Sequence, residues 1–351
     1  MSKKRILFLG ETYRADAITW MNGLIEFGDF EIVTWELQTS SKGINRIKRL
    51  FELAKAILTI KSIVKKINPD MVIAERTTSY GYLAAASRIK PIVIAQQGIT
   101  DLWPPNSPSY IFKKILQNYA FKQADLIHAW GNSIAEDIKE SQVNMEKVMI
   151  LPKGINLDFF QFNDASDETM INAVVTRALE PEYNHDLILK AFSIIKQKNI
   201  PFKLTIIGEG TESKKLKRLA NELKIGKEVD FAGKVNNKEI PRYLQQANIY
   251  ISTPITEGVS ASLFEAMACG CFPIVTDLPG NRCWINNHEN GILIPSNNHK
   301  ILAEELQYAF ERNLWREAVI KRNQKFIEEH ANYAINMKKI SLIYHELITK
   351  N

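Results

Sequence analysis

The chain has 351 residues, 45% apolar and 24% charged, with 45 Lys and Arg against 39 Asp and Glu for a net charge of +6. That length exceeds one ordinary core and predicts two domains of roughly 150–200 residues each; the composition excludes a disordered or fibrous chain. No apolar run approaches the ~18–20 residues that span a bilayer, and "ILFLG" near the start is shorter than the roughly 7–15 residues of a signal-peptide core.

Taken in chain order, "KRILFLG" predicts a first buried strand, followed by the helical "DAITWMNGLIEFG" and the strand "FEIVTWE". Next comes the basic stretch 41–70, in which Ile44, Ile47, Phe51, Ala54, Leu58, Ile63 and Ile67 recur at helical spacing. Residues 1–155 carry 21 basic against 15 acidic side chains, so the whole +6 lies in this half and the rest is neutral. A basic amphipathic segment suits either an ordinary solvated helix face or an anionic membrane surface. Nucleic acid is disfavoured, because no recognition motif is present and the charge is not interleaved with stacking aromatics. The segments "PDMVIAE", "YGYLAAASRI", "PIVIAQQG", "FKQADLIHAW" and "KVMILPKG" continue a β-α-β rhythm, which implies parallel strands covered by helices.

The stretch 153–170 is polar and turn-rich and reads as a linker. The rhythm restarts at "MINAVVTRALE" and runs through "HDLILKAFSIIKQK", "FKLTIIGEG", "ESKKLKRLANELKI", "EVDFAGKV", "EIPRYLQQA", "NIYISTP", "FPIVTD" and "GILIPSN". A helical tail occupies about 299–351. The expectation is one domain over 1–160, a second over 168–330, and a C-terminal helix near 331–351 that packs back on the first. In such doubly wound sheets ligands bind at the carboxyl ends of the strands, so a cleft between the domains is the expected site. Cys269, Cys271 and Cys283 predict reduced thiols in a cytoplasmic protein, and six histidines without shared spacing predict no metal. "GEG" at 208–210 begins like a dinucleotide fingerprint, but Ser213 stands where its third glycine belongs, so hydride chemistry is disfavoured.

One segment carries most of the chemistry. In "TEGVSASLFEAMACGCFPIVTD", residues 256–277, Glu257 and Gly258 sit just past a strand, and Ser260 and Ser262 offer hydroxyls where a helix begins. Unpaired N–H groups and the helix dipole at such a start attract an anion, whereas carboxylates beside it suit hydroxyls. The same residues permit a capping box, Ser262 to Glu265, in which Glu265 returns to the N–H of residue 262; Glu257 has no comparable structural task.

Together with markers along nearly the whole chain, this segment resembles the E-x7-E signature of the retaining family 4 glycosyltransferases. The markers are "PDMVIAERTTSYGYLAA", "PIVIAQQGITD", "QADLIHAWGNSIAEDI", "LPKGINLDFF", "FKLTIIGEGTESKKLKRLANELKIGKEVDFAGKV" and "NGILIP", in family order. The resemblance implies the GT-B fold: two facing Rossmann-like, doubly wound parallel-sheet domains, the first for the acceptor and the second for a nucleotide-sugar donor. It implies that Glu265 binds the ribose and that Glu257 meets the donor sugar near its anomeric carbon. By the same likeness the amides around Ser262, Leu263 and Phe264, in the loop with Gly258 and Ser260, receive the phosphates. Gly208, Glu209, Gly210 and the turn of Gly233, Lys234 and Val235 then lie by the base, and the loop from Gly10 to Arg14 lies near the donor phosphate or the acceptor. Arg177 takes the place of the family's phosphate-binding arginine and would neutralise the departing diphosphate.

Three positions depart from the family. Tyr183 stands where a lysine is usual, leaving Lys153, Lys190 or Arg282 as candidates for the second cation; Arg282 reads equally as a solvated loop residue. Gln97 replaces a common histidine, and Gly10 is the only glycine in "GETYRAD". The implied activity is metal- and cofactor-independent transfer of a sugar, with retention, from a UDP- or GDP-sugar to a glycan or lipid-linked acceptor in surface polysaccharide assembly. The expected location is the cytoplasm, with peripheral contact to the inner membrane through the basic half. The rivals are another GT-B activity, such as a nucleotide-sugar epimerase or a phosphorylase, and a non-catalytic or weakly active sugar-nucleotide-binding protein.

Overall fold

A computed structural model of the chain describes residues 3–39, 45–96, 106–163 and 169–350. Contacts divide it into two compact units, 1–153 with 333–351 and 154–332.

The first unit alternates β1 (Arg5–Leu9), α1 (Ala15–Gly28), β2 (Glu31–Trp35), α2 (Asn45–Ile67), β3 (Met71–Glu75), α3 (Tyr82–Ser87), β4 (Ile92–Gln96), α4 (Tyr110–Gln123), β5 (Leu126–Ala129), α5 (Asn132–Lys139) and β6 (Val148–Ile150). Its six strands are parallel, in the order β2-β1-β3-β4-β5-β6. β3 and β4 are buried at every residue, as apolar runs without alternation require when helices cover both faces of a sheet.

The second unit alternates β7 (Ile171–Thr176), α6 (His185–Gln197), β8 (Phe202–Ile207), α7 (Ser213–Glu222), β9 (Val229–Gly233), α8 (Ile240–Gln245), β10 (Ile249–Ser252), α9 (Ala261–Ala268), β11 (Phe272–Thr276), α10 (Pro279–Arg282) and β12 (Ile292–Ile294), and ends in α11 (His299–Glu311) and α12 (Asn313–His330). Its strand order is β12-β11-β10-β7-β8-β9, again parallel. The core is built from one face of α6 (Ile188, Phe192, Ile195) and one of α11 (Leu302, Leu306) against β7, β8 and β11. α13 (Tyr333–Lys350) belongs to the first unit. It packs along α1, with the Tyr333 hydroxyl donating to Thr19 O at 2.7 Å.

The passage from one unit to the other lies at Lys153 and Gly154. Ile155 donates its N–H to Ala331 O at 2.8 Å, so the stretch read as the start of a linker is held to the second unit; residues 164–168 lie outside those described.

The basic stretch folds as the helix that its spacing predicts, α2. Its inward residues are Ala56 and Ile60, both buried, whereas Phe51 and Leu58 of the apolar series point to solvent. Ile44 and the side chain of Ile47 lie outside the described residues. A helix advances 100° per residue, so Phe51 and Leu58, seven residues apart, share one face, and that face lies roughly opposite the buried pair Ala56 and Ile60, which the series left out. Among the described residues no helix is long and apolar enough to cross a membrane.

Candidate active site

In each sheet the strand order reverses once, between β1 and β3 in the first unit and between β7 and β10 in the second. Helices leave such a point on opposite faces, which opens a crevice at the carboxyl ends of the two strands. In the second unit that crevice holds most of the residues that the sequence singled out.

Arg177 follows β7 directly, and Ser252 closes β10. The Arg177 Nε donates to Ser252 Oγ at 3.2 Å, while its Nη2 donates to Glu257 Oε2 and to Ser260 Oγ. The arginine and Glu257 side chains are 14% and 13% exposed, so the ion pair sits at the solvent margin of an otherwise buried cluster. Burial opposes the Arg177 charge, but the oxygens of Tyr250 and Glu257 outweigh it and hold the guanidinium above the ordinary arginine pKa. The guanidinium also lies 5.5 Å from the Tyr183 ring centroid, a cation–π distance. The residue in the place of the usual lysine is thus a wall for the arginine. Each proposed substitute cation has a carboxylate of its own: Lys190 bonds Asp186 at 2.8 Å, Arg282 bonds Asp277 at 2.5 and 2.9 Å, and Lys153, in the first unit, bonds Asp16 at 2.8 Å.

The loop from Glu257 to Ser260 leads into α9, and here the capping-box alternative is corrected. The N-cap is Ser260, whose Oγ accepts the Leu263 N–H at 3.2 Å. Ser262 is already inside the helix, and Glu265 is the fifth helical residue, beyond the third-residue position from which a capping side chain reaches back. Leu263 and Phe264 direct their amides to Ser260, whereas those of Ala261 and Ser262 head the first turn, where an α-helix offers no internal acceptor. Glu265 is half-buried on α9. The helix closes as expected at Gly270, with φ +94°, the Gly270 N–H on Met267 O and the Cys271 N–H on Ala266 O.

Neighbouring loops fix this one. Thr253 Oγ1 donates to the carbonyls of Tyr183 and Asn184 at 3.1 and 3.2 Å, and the Ile255 N–H to Glu182 O at 2.9 Å, which binds the loop after β10 to the loop after β7. Gly208, with φ +146°, lies where a Cβ would meet Arg177 O at 2.2 Å, and a Cβ on Gly210 would meet Leu179 O at 2.3 Å. These glycines press the β8 loop onto the backbone of the arginine loop; the Gly208 N–H bonds Gly233 O at 2.8 Å, which brings in the turn of Lys234 and Val235. Sequence reading missed Gly280. A Cβ there would lie 2.3 Å from Gly258 O and 2.4 Å from Glu257 O, so α10 supports the Glu257 loop by direct backbone contact. It also missed Ser252, Thr253 and Tyr250, which read as ordinary strand residues until β7 and β10 are placed side by side.

In the first unit the reversal point holds Gly10, Glu11, Glu75 and Arg76. A Cβ on Gly10 would lie 2.7 Å from Glu75 Oε2, which accepts the Glu11 N–H at 2.9 Å. Arg76 grips Glu11 with two bonds, at 2.8 and 3.3 Å, and its own φ of +75° is rare for a residue with a side chain. Burial raises the Glu75 carboxyl pKa, against the pull of Arg76. Gln97 lies outside the described residues.

With this geometry in view, the comparisons with known proteins are specific. The family model for glycosyl transferases group 1 matches residues 158–328, and that for glycosyl transferase 4-like proteins matches 26–130. The chain belongs to the family 4-type, group 1 glycosyltransferases. An uncharacterized glycosyltransferase of Methanocaldococcus jannaschii is 25% identical over 69% of this chain and 64% of its own length, so the match spans just under two thirds of that relative. The Campylobacter jejuni N-acetylgalactosamine-N,N'-diacetylbacillosaminyl-diphospho-undecaprenol 4-alpha-N-acetylgalactosaminyltransferase is 24% identical over 85% of this chain and 82% of the enzyme. In structure this glycosyltransferase is similar to Anabaena HepE, solved in complex with UDP, with a TM-score of 0.79 at 14% identity over 98% of this chain and 100% of HepE. The fold is GT-B.

Proposed function

We propose that this glycosyltransferase moves a sugar from a UDP-sugar to a lipid-linked glycan acceptor in surface polysaccharide assembly, with retention at the anomeric carbon. The observation that carries the reading is the junction of Arg177, Glu257 and Ser260 where β7 and β10 part. A fixed guanidinium and the first-turn amides of α9 present positive charge where a diphosphate departs, and charge held in place beforehand needs no reorganisation during reaction. That arrangement serves transfer without a metal. Glu257, at the lip of the same cluster, accepts hydrogen bonds and so suits the donor sugar hydroxyls, while Glu265 suits the ribose. Retention then follows a front-face course, in which the departing phosphate takes the acceptor proton. The UDP-bound neighbour supports uridine as the base, and the Campylobacter relative supports a diphospho-undecaprenol acceptor. The first unit would receive that acceptor and the second the donor. A lipid-linked acceptor places the enzyme on the cytoplasmic face of the inner membrane as a peripheral protein.

The test is donor turnover. UDP should raise the unfolding temperature more than GDP or ADP, since a ligand that binds only the folded form stabilises it by mass action. A UDP-sugar should then be consumed only when acceptor is present. Tyr183 favours one second reading, a weakly active nucleotide-sugar-binding protein. Nucleotide binding without transfer or hydrolysis of any donor would select it.

A further inference from the structure

The helix α4 buries Ala120 and Phe121 as a covering helix should, but it carries a second apolar arc on its outer face. Ile111, Phe112 and Ile115 are 75%, 51% and 61% exposed, with Tyr119 beside them, whereas Gln117 is buried. At 100° per residue, Ile111, Ile115, Tyr119, Phe112 and Lys122 fall within an arc of roughly 100°, and that arc is the solvent face. A helix that serves only to cover its sheet turns its apolar arc inward. The outer face of α2 repeats the pattern: Phe51 and Leu58 are 68% and 73% exposed, and Lys55 and Lys65 are exposed beside them. α3 packs against both helices, so the two faces lie on one side of the first unit's sheet. Across both helices ten Lys and Arg are set against a single carboxylate, Glu52, and that one accepts the backbone N–H groups of Gln38 and Thr39.

We propose that the outward faces of α2 and α4 form a docking surface for an anionic lipid bilayer, with the side chains of Ile111, Phe112, Ile115, Phe51 and Leu58 entering the headgroup layer. The inference rests on the lipid-linked acceptor reading and names the surface that brings the enzyme to that acceptor. Charge complementarity selects the occupant. Lysines around protruding aliphatic residues gain from an anionic headgroup layer and from the acyl boundary beneath it. A second copy of the chain would bring the same cluster of cations against itself, which like-charge repulsion opposes.

The test is flotation with vesicles that contain no acceptor. Wild-type protein should float with phosphatidylglycerol-rich vesicles, stay behind with pure phosphatidylcholine, and be released by salt. The combined variant Ile111→Ser, Phe112→Ser, Ile115→Ser should partition at least about tenfold less, and Lys55→Gln, Lys65→Gln, Lys114→Gln should lose the preference for anionic lipid. These side chains are exposed, so both variants should keep the unfolding temperature and its rise with UDP. Failure of wild type to float overturns the proposal, as does undiminished flotation of the serine variant. A dimer in sedimentation that the serine substitutions disperse, without flotation, overturns it in favour of self-association. Because the vesicles lack acceptor, these outcomes are independent of transfer activity, which tests the acceptor reading on its own.

Discussion

Arg177→Ala tests the central junction hardest, because it removes one partner from three contacts at once. Glu257 loses its ion pair, and Ser252 and Ser260 lose a donor. Deleting one member of a fully buried pair costs about 3–5 kcal/mol, most of it the charge left behind. With 14% and 13% of the two side chains exposed, solvent recovers part of that, so a loss of about 2 kcal/mol is expected. For a unit of this size that is a fall of roughly 4–8 °C in Tm. Adding Glu257→Gln removes the stranded carboxylate, so the double variant should regain about 1 kcal/mol over Arg177→Ala alone. Chemistry should suffer more than folding, since a charge held for the departing group is worth about 10²–10³ in kcat. Arg177→Lys should restore little, because one ammonium cannot serve Ser252, Ser260 and Glu257 in the fork geometry. Thermal unfolding of the three variants and kcat at saturating donor are the measurements. A kcat loss smaller than about threefold would remove the arginine from the reaction. A double variant no more stable than Arg177→Ala would show that Glu257 is not held by it.

Four further outcomes follow. Tyr183→Phe should leave kcat unchanged, while Tyr183→Ala, which removes the ring from the guanidinium, should lower it about two- to fivefold at constant Tm. Gly280→Ala, with no room against Glu257 and Gly258, should cost about 1–3 kcal/mol in thermal unfolding and lower kcat more than it raises KM for the donor. Ser260→Ala should lose about 1 kcal/mol as a missing N-cap, read as a fall of about 2–4 °C in Tm. His128 is wholly buried between Tyr344 and Leu151 O, and burial lowers its pKa to about 4 from 6.5. The unfolded chain therefore binds its proton first as pH falls, and stability should decline from about pH 6.5 down to about pH 4; denaturant titrations of His128→Gln should show a shallower decline, with the part from His185, whose pKa burial also lowers, remaining.

The fold was legible because parallel strands buried on both faces write continuous apolar runs, and "MVIAE", "IVIAQ" and "FPIVT" are such runs at the positions of β3, β4 and β11. Glu257 was legible as a carboxylate just past a strand and Ser260 as a hydroxyl at a helix start, whereas Arg177 was singled out only by the likeness to the family's phosphate-binding arginine. The capping question was not. Two serine starts, Ser260 and Ser262, are compatible with "VSASLFE", and which one becomes the N-cap depends on Arg177, 83 residues earlier, also reaching Ser260. Gly280 was invisible for a related reason, since its need is set by a backbone more than twenty residues away. The helix α4 escaped with its outward face, because apolar residues on both of its sides leave no single stripe for spacing to report.

The two reversal points obey the same electrostatic rule. At each, an arginine immediately after a strand is paired with a glutamate from a neighbouring loop, Arg177 with Glu257 and Arg76 with Glu11. An arginine kept for an anionic ligand must be held in place before the ligand comes, and a lone guanidinium in a crevice with low exposure would cost more desolvation than hydrogen bonds to serines return. A carboxylate partner solves this, provided that it can also turn to the ligand's hydroxyls. On the proposed reading a sugar nucleotide would offer both charges an exchange, phosphate for the arginine and hydroxyl for the glutamate, so that neither is stranded when the pair opens. UDP alone satisfies only the arginine. A UDP-sugar should therefore bind more tightly than its sugar hydroxyls alone would explain, and Glu257→Gln should erase most of that difference, raising the affinity for UDP because no carboxylate is then left unpaired. Calorimetric titration of wild type and Glu257→Gln with UDP and UDP-glucose measures it, and equal changes in affinity for the two ligands would refute the exchange.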